Sequence, residues 1–366
     1  MPTSAEPFVT ASLPGIGGTI KSSPEDFVVE EVPAYEPSGS GDHLYLWIEK
    51  RDLSHEQLLQ HLGRVLNVRY RDIGTAGMKD RRAITRQWVS VPALCEERID
   101  QIDSPEVQLL RSMLHSNKLK TGHLKGNRFE LVIRDVADDA LQTAEAIVEH
   151  IGRTGFPNFF GRQRFGRDDE TLRIGKDLIA GRMRPDDLPP SRQRFLTRLS
   201  LSAVQSELFN EVLAERMRDD LLQTVLFGDV MQVVGSGGRF VVTAEAIEQE
   251  RFNEGETVTT GPLFGPKMME TLDEPAAREA QVLARHELAI ADFARHSRFC
   301  PGTRRPLLVR PKDLAVTPVE GGLKLHVTLP SGSYATVLLR EFLRTTDDAV
   351  NMGPPGETDG DAEARE

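Results

Sequence analysis

Between Arg128 and Val136 the chain alternates: Phe129, Leu131 and Ile133 take every second place, with polar side chains among them. The same period runs from Asp42 to Lys50, where Leu44, Leu46 and Ile48 fall in phase. A period of two belongs to strands that set one row of side chains on one face of a sheet, so this chain is committed to a sheet. Thr85 to Val91 reads as another strand. Residues 16 to 36 read as extended, around Phe27-Val28-Val29-Glu30-Glu31-Val32. Helical stretches lie between. Ser54 and Gln57 fit a capping box, with Leu58, Leu59, Leu62 and Val65 at helical spacing behind them. Asp138 to Ile151 is predicted to be a helix closed by Gly155. Strands and helices alternate through mostly short connections, an α+β pattern.

The character changes after about residue 167. Residues 184 to 196 are rich in Pro, Arg and Asp and read as a linker or domain edge. Leu199 to Met217 is predicted to be a helix, with Leu201, Val204, Leu208 and Val212 on one face. Val230 to Val242 reads as a hairpin turning at Gly235-Ser236-Gly237-Gly238. A phosphate cradle at those glycines would need a following helix and a Lys-Ser/Thr pair, and both are missing. Glu274 to His296 reads as one charged helical stretch. Strand character returns at Leu307 to Arg310 and at Gly322 to Leu329, and a helix follows Ser333. A length of 366 residues suits two domains.

Cys95 and Cys300 are the only cysteines, too few and too far apart for a disulfide framework or a zinc site. Met1 to Gly15 lacks the pattern of a signal peptide, and no apolar run is long enough to span a membrane. A reducing cytoplasm is the expected compartment. The formal charge of −11 argues naively against a nucleic-acid partner. Residues 347 to 366, however, hold seven acids against Arg365, together with Pro354, Pro355 and three glycines. This tail is expected to be disordered. Elsewhere basic residues cluster: Lys79, Arg81, Arg82 and Arg86; Lys118, Lys120, Lys125 and Arg128; Arg162, Arg164 and Arg167; Arg304, Arg305, Arg310 and Lys312. RNA binding depends on such local patches rather than on net charge.

The sharpest segment is Gly74-Thr75-Ala76-Gly77-Met78-Lys79-Asp80-Arg81-Arg82-Ala83-Ile84-Thr85-Arg86. A strand ends in glycines and presents one acid among cations, which favour an ionised Asp80 and can hold phosphates. On these residues alone a surface ion-pair loop is the commoner reading. No Gly-x-Ser-x-Gly, His-Glu-x-x-His or Walker motif occurs, and nothing has metal-ligand spacing.

At this segment the chain resembles the TruD pseudouridine synthases, in which the acid of a Gly-x-Lys-Asp-Arg segment is the catalytic aspartate, here Asp80. Four further stretches match that family in order: Lys21 to Glu31, Gly122 to Phe129, Pro157-Asn158-Phe159-Phe160-Gly161-Arg162-Gln163-Arg164-Phe165-Gly166, and Leu329-Pro330-Ser331-Gly332-Ser333-Tyr334-Ala335-Thr336. Thr260 to Leu263 and Arg304 to Leu307 resemble the family's inserted domain and its exit. The resemblance covers about residues 14 to 345. It implies a catalytic α+β domain with a mixed or antiparallel sheet, built from residues 1–183 and 309–346. Residues 184–308 would be an inserted TRUD domain, and 347–366 a disordered acidic tail.

The resemblance further implies isomerisation of uridine to pseudouridine in tRNA, expected at uridine 13, without metal or other cofactor. Phe27 and Tyr334 would line the uridine pocket and Asn158 would contact the substrate. Lys21, Arg82 and Arg164 are candidate RNA phosphate contacts. Arg304 and Arg305, near the exit of the insertion, are expected to grip RNA. A monomer with no obligate protein partner is expected. Two other readings stay open. One is a non-catalytic RNA-binding module on the same scaffold. The other is a two-carboxylate hydrolase, with Glu25, Asp26 or Glu30 as the second acid.

Overall fold

The structure is a computed structural model that describes residues 6–344, so the acidic tail lies outside the described residues. Along the chain come β1 (Phe27–Pro33), β2 (His43–Arg51), α1 (His55–Val65), β3 (Gly74–Thr75), β4 (Ile84–Pro92), β5 (Val107–His115) and β6 (Leu124–Arg134). There follow α2 (Ala140–Thr154), β7 (Phe156–Pro157), α3 (Glu170–Ile179) and α4 (Gln193–Arg218). Next are β8 (Val230–Val233), β9 (Arg239–Val241), α5 (Glu245–Asn253), β10 (Thr257–Leu263), α6 (Asp273–Arg285) and α7 (Ile290–Ala294). The last are β11 (Thr303–Pro306), β12 (Leu308–Val309), β13 (Lys312–Val319), β14 (Gly322–Pro330) and α8 (Ala335–Leu343).

The period-two segments become neighbours in one 8-stranded sheet, ordered β13-β14-β6-β1-β4-β2-β5 with β3 beside β4. Its ladders are antiparallel except β1–β4, which is parallel from Val28–Ile84 to Glu30–Arg86. The sheet is therefore mixed and the class α+β. Residues paired across a ladder share a face. One such row is Lys50, Thr85, Val29, Phe129 and Val327, running from β2 to β14. On that face α1 buries Leu58, Leu59 and Leu62 against Leu44, Leu46, Ile48 and Val89. Ser54 caps α1 and Gln57 completes the capping box. Farther along, Ala144, Ile147 and Ile151 of α2 and Leu338 of α8 join Phe129, Leu131 and Leu325 in a second apolar cluster.

A 4-stranded sheet, β11-β10-β8-β9, draws all its strands from between Val230 and Pro306. The short pair β12–β7 ties Leu308 to Pro157. The Pro-rich stretch near residue 184 is the connector between α3 and α4, which pack closely. A Cβ on Gly175 would collide with the Ser200 carbonyl oxygen, so only glycine permits that approach. The helix expected from Leu199 begins earlier, at Gln193, and is buried on more than one face. The charged stretch Glu274 to His296 is broken into α6 and α7. Glu287 takes φ 55°, and the Leu288 amide donates back to the Leu283 carbonyl, a left-handed helix stop. β10 shows no alternation, because every residue but Leu263 is buried. β5 and β13 are edge strands whose exposure blurs the period.

Candidate active site

Asp80 lies in the loop between β3 and β4. Two lysines from other strands and loops hold it. The Lys50 side chain is 0% exposed, and its ammonium donates to the Asp80 carbonyl at 2.7 Å and to the Leu53 carbonyl at 2.7 Å. Lys21 donates to Asp80 Oδ2 at 3.2 Å, while the carboxylate side chain keeps 44% of its surface open. One ammonium thus fixes the backbone and the other faces the acid. Lys21 has a left-handed backbone, φ 57°, and its Nζ stands 4.2 Å from the Phe27 ring centroid. Phe27 itself is buried, edge-on to Phe129. A left-handed lysine is uncommon and stays where its surroundings over-determine it.

Beneath this loop the parallel pairing of β1 and β4 ends at Glu30–Arg86. Glu31 fills the gap that follows: it accepts from the Trp88 amide at 3.4 Å and from the Lys79 ammonium at 2.8 Å. That ion pair is buried, at 4% and 1% exposure. Around it the sheet face carries polar side chains at positions that are otherwise apolar. Thr85 Oγ1, both amide atoms of Gln87, Asn127 Oδ1 and His55 Nδ1 are buried without a hydrogen-bond partner among the described residues. Buried polar atoms are nearly always paired, so a group of open ones marks a place built for something other than packing. Burial first, then Lys50 and Lys79, push His55 down to about 4, so it is neutral near pH 7. A polar seam therefore separates the α1 core from the α2–α8 core, with Asp80 at its edge.

The other sequence-predicted residues gather around Phe160. Asn158 is buried; its Nδ2 donates to the Pro306 carbonyl at 2.9 Å and its Oδ1 accepts from Arg305 at 2.6 Å. Tyr334 is half-buried just before α8, its ring 6.1 Å from that of Phe160. Arg164 donates to Ser202 and Ser206 on α4. Phe27, Phe129 and Phe160 share one apolar cluster, with Tyr334 packed against it. Arg82 is half-buried and has no ion-pair partner among the described residues.

Two expectations change. Arg304 is buried and bonded to Glu279, Thr260 and the Met269 carbonyl, so it is a structural residue with nothing left for RNA. The carboxylates considered as a second acid are each committed to arginine: Glu25 to Arg51, Asp26 to Arg134, Glu30 to Arg86 and Arg128. The two-carboxylate hydrolase thereby loses its partner for Asp80. Sequence reasoning missed the seam. Its signal was there, since Lys50, Gln87 and Asn127 are polar residues in phase with the apolar rows Leu44-Leu46-Ile48, Val89-Val91 and Phe129-Leu131-Ile133.

A family model described as tRNA pseudouridine synthase D (TruD) matches residues 5–185 and 191–342. The chain belongs to the TruD family. Among curated relatives, a tRNA pseudouridine synthase D of Anaeromyxobacter sp. (strain Fw109-5) is 42% identical over 338 residues, covering 92% of this chain and 96% of the relative. Another, from Thermus thermophilus, is 42% identical over 342 residues and covers 92% of each. The crystal structure of a proposed tRNA pseudouridine synthase D from Methanosarcina mazei has the same fold, with a TM-score of 0.76 at 24% identity over 94% of this chain and 97% of that one. Among the described residues no helix is long and apolar enough to cross a membrane.

Proposed function

We propose that this TruD-family chain isomerises uridine to pseudouridine in tRNA, at uridine 13 of certain tRNAs, with Asp80 as the reacting carboxylate. The observation that carries this reading is the placement of Asp80. Its backbone is clamped by the buried Lys50 and its carboxylate faces Lys21 while remaining open to solvent. The reaction breaks the N1–C1′ bond and forms C5–C1′; a proton leaves C5 and N1 gains one, so nothing is consumed. A carboxylate serves by attacking C1′ or C6, or by abstracting the C2′ proton. Flipping the target uridine costs a few kcal/mol, and stacking on an aromatic ring returns about 1–3 kcal/mol. In this reading Phe27 and Tyr334 line the uridine pocket and Asn158 contacts the substrate or steadies its neighbours. Lys21 steadies the Asp80 carboxylate until RNA arrives, and Arg82 and Arg164 meet phosphates. Residues 1–183 and 309–346 form the catalytic domain, and 184–308 the inserted domain that grips folded tRNA in the cytoplasm.

The test is direct. The protein is incubated with unmodified tRNA and pseudouridine is mapped. The reading expects product at uridine 13 from the parent chain and none from Asp80→Asn. Binding without product by the parent would favour the non-catalytic RNA-binding module instead.

A further inference from the structure

We propose that Arg164 and Arg305 together form a binding site for one backbone phosphate of the RNA, beside Phe160 and Tyr334. The proposal rests on the reading of the chain as an RNA-modifying enzyme. Both guanidiniums stand over a single ring: the Arg305 carbon is 4.1 Å and the Arg164 carbon 5.8 Å from the Phe160 centroid. Arg305 also lies 5.6 Å from the Phe209 centroid and 5.8 Å from that of Tyr334. Aromatic faces attract cations but do not neutralise them. Arg305 donates through Nε and Nη2 to Asn158 and through Nη2 to the Gly332 carbonyl. Arg164 donates through Nε to Ser206 and through Nη2 to Ser202. In both, Nη1 has no protein acceptor among the described residues, and neither arginine meets a carboxylate.

That pattern is not general in this molecule. The buried guanidiniums of Arg216, Arg304 and Arg340 each meet a carboxylate, from Asp229, Glu279 and Glu6. Around Phe160 two guanidiniums stand with no carboxylate partner among the described residues. Desolvation above all, with the charge of Arg164 acting the same way, pulls Arg305 down to about 10, and it stays cationic at neutral pH. Gly332 borders the place. It is exposed with φ 82°, and a Cβ there would stand 3.8 Å from Arg305 Nη1, over the free end of the fork. A guanidinium fork matches the oxygens of a phosphate. Arg164 follows the Phe160 segment and Arg305 comes from β11, so one phosphate held by both would bridge two parts of the fold. Tyr334, proposed above to line the uridine pocket, is packed beside them. The phosphate is therefore assigned to a nucleotide neighbouring the target.

The experiment uses full-length Asp80→Asn protein, so that binding is measured without turnover, and an unmodified RNA stem-loop carrying the target uridine. Dissociation constants are measured across a salt series for this parent, with Arg164→Gln or Arg305→Gln added, and with single methylphosphonates placed within two nucleotides of the target. Either substitution is expected to weaken binding about tenfold and to reduce the salt slope by about 0.7 per lost contact. One methylphosphonate position should weaken the parent similarly and add nothing to Arg164→Gln. Arg305 also braces Asn158 and Gly332, so Arg164→Gln, whose partners are two serines of one helix, is the decisive variant if Arg305→Gln misfolds. Unchanged affinity and slope in Arg164→Gln, or full additivity with every methylphosphonate, overturns the site. Failure of the parent to bind RNA at all overturns the proposed function as well. RNA binding and tenfold weakening in a chain that makes no pseudouridine would uphold the phosphate site and defeat only the activity.

Discussion

At helix α4 and strand β11 two buried cations, Arg216 and Arg304, each meet a carboxylate. Arg216 forks onto Asp229 at 2.7 and 2.6 Å and also donates to the Leu221 and Thr224 carbonyls. Arg304 reaches Glu279 at 2.5 and 3.2 Å, with Thr260 taking two more bonds. Near Asp80, on the 8-stranded sheet, part of the pairing is left open. Lys21 shares a half-open carboxylate, and Thr85, Gln87 and Asn127 keep polar atoms without a partner among the described residues. The first arrangement is what a stable interior requires. The second is tolerable only where a ligand or water completes it. Around Arg216 and Arg304 the charges are closed, and around Asp80 polar groups stay open.

That contrast can be broken in several ways. The largest expected effect is at Asp80. Asp80→Asn should lower turnover at least about 10³-fold with melting temperature and tRNA affinity close to the parent's, because the amide keeps the shape and loses the reactive oxygen pair. Turnover of more than a few per cent would remove Asp80 from the chemistry. Arg304→Met should act on the fold instead. It strands Glu279 in the interior, so urea unfolding should show a loss of about 3–5 kcal/mol, with turnover per folded molecule unchanged. A stable Arg304→Met that fails to bind tRNA would reverse the contrast drawn above.

Lys50→Met should have a smaller effect than either. Its loop loses the clamp on the Asp80 carbonyl, and a displacement near 1 Å is worth about 10² in rate. Steady-state kinetics should therefore show the loss in kcat with tRNA affinity kept; a pure rise in KM would contradict the positioning role. The smallest effect concerns pH. His55 sits at about 4 when folded against 6.5 unfolded, so between these values the unfolded chain binds more protons. Stability is full above pH 6.5 and is lost as pH falls toward 4, with a slope from this group of at most about 1.4 kcal/mol per pH unit. His55→Gln should flatten that part of the denaturation profile. An identical profile would show that His55 is solvated in the folded chain.

Much of this was legible in the sequence. The strands with Leu44-Leu46-Ile48 and Phe129-Leu131-Ile133, the cap at Ser54, the hairpin turn at Gly235 and the helix after Ser333 are where local patterns place them, because period, capping and turn geometry act over a few residues. The stretch Glu274–His296 misled for a related reason. Composition reports helix-forming residues but not a left-handed Glu287, which ends α6 before α7 begins. The sequence motifs also bring out Asp80, Phe27, Asn158 and Tyr334 as candidates, though not their neighbours.

Sequence alone determined which segments become strands and helices, and that one acid stands in a glycine-bounded loop among cations. Tertiary structure alone decided what each polar side chain meets. Arg304 and Arg305 are adjacent and read as one basic pair. Successive residues of a strand point to opposite faces, and β11 runs between two environments. Arg304 therefore turns to Glu279 and is closed off, while Arg305 turns to Phe160 and Asn158 and is left with a free end. The alternation is local and can be read from the chain. Which face holds a carboxylate depends on residues 25 and 147 positions away, and only folding brings those together.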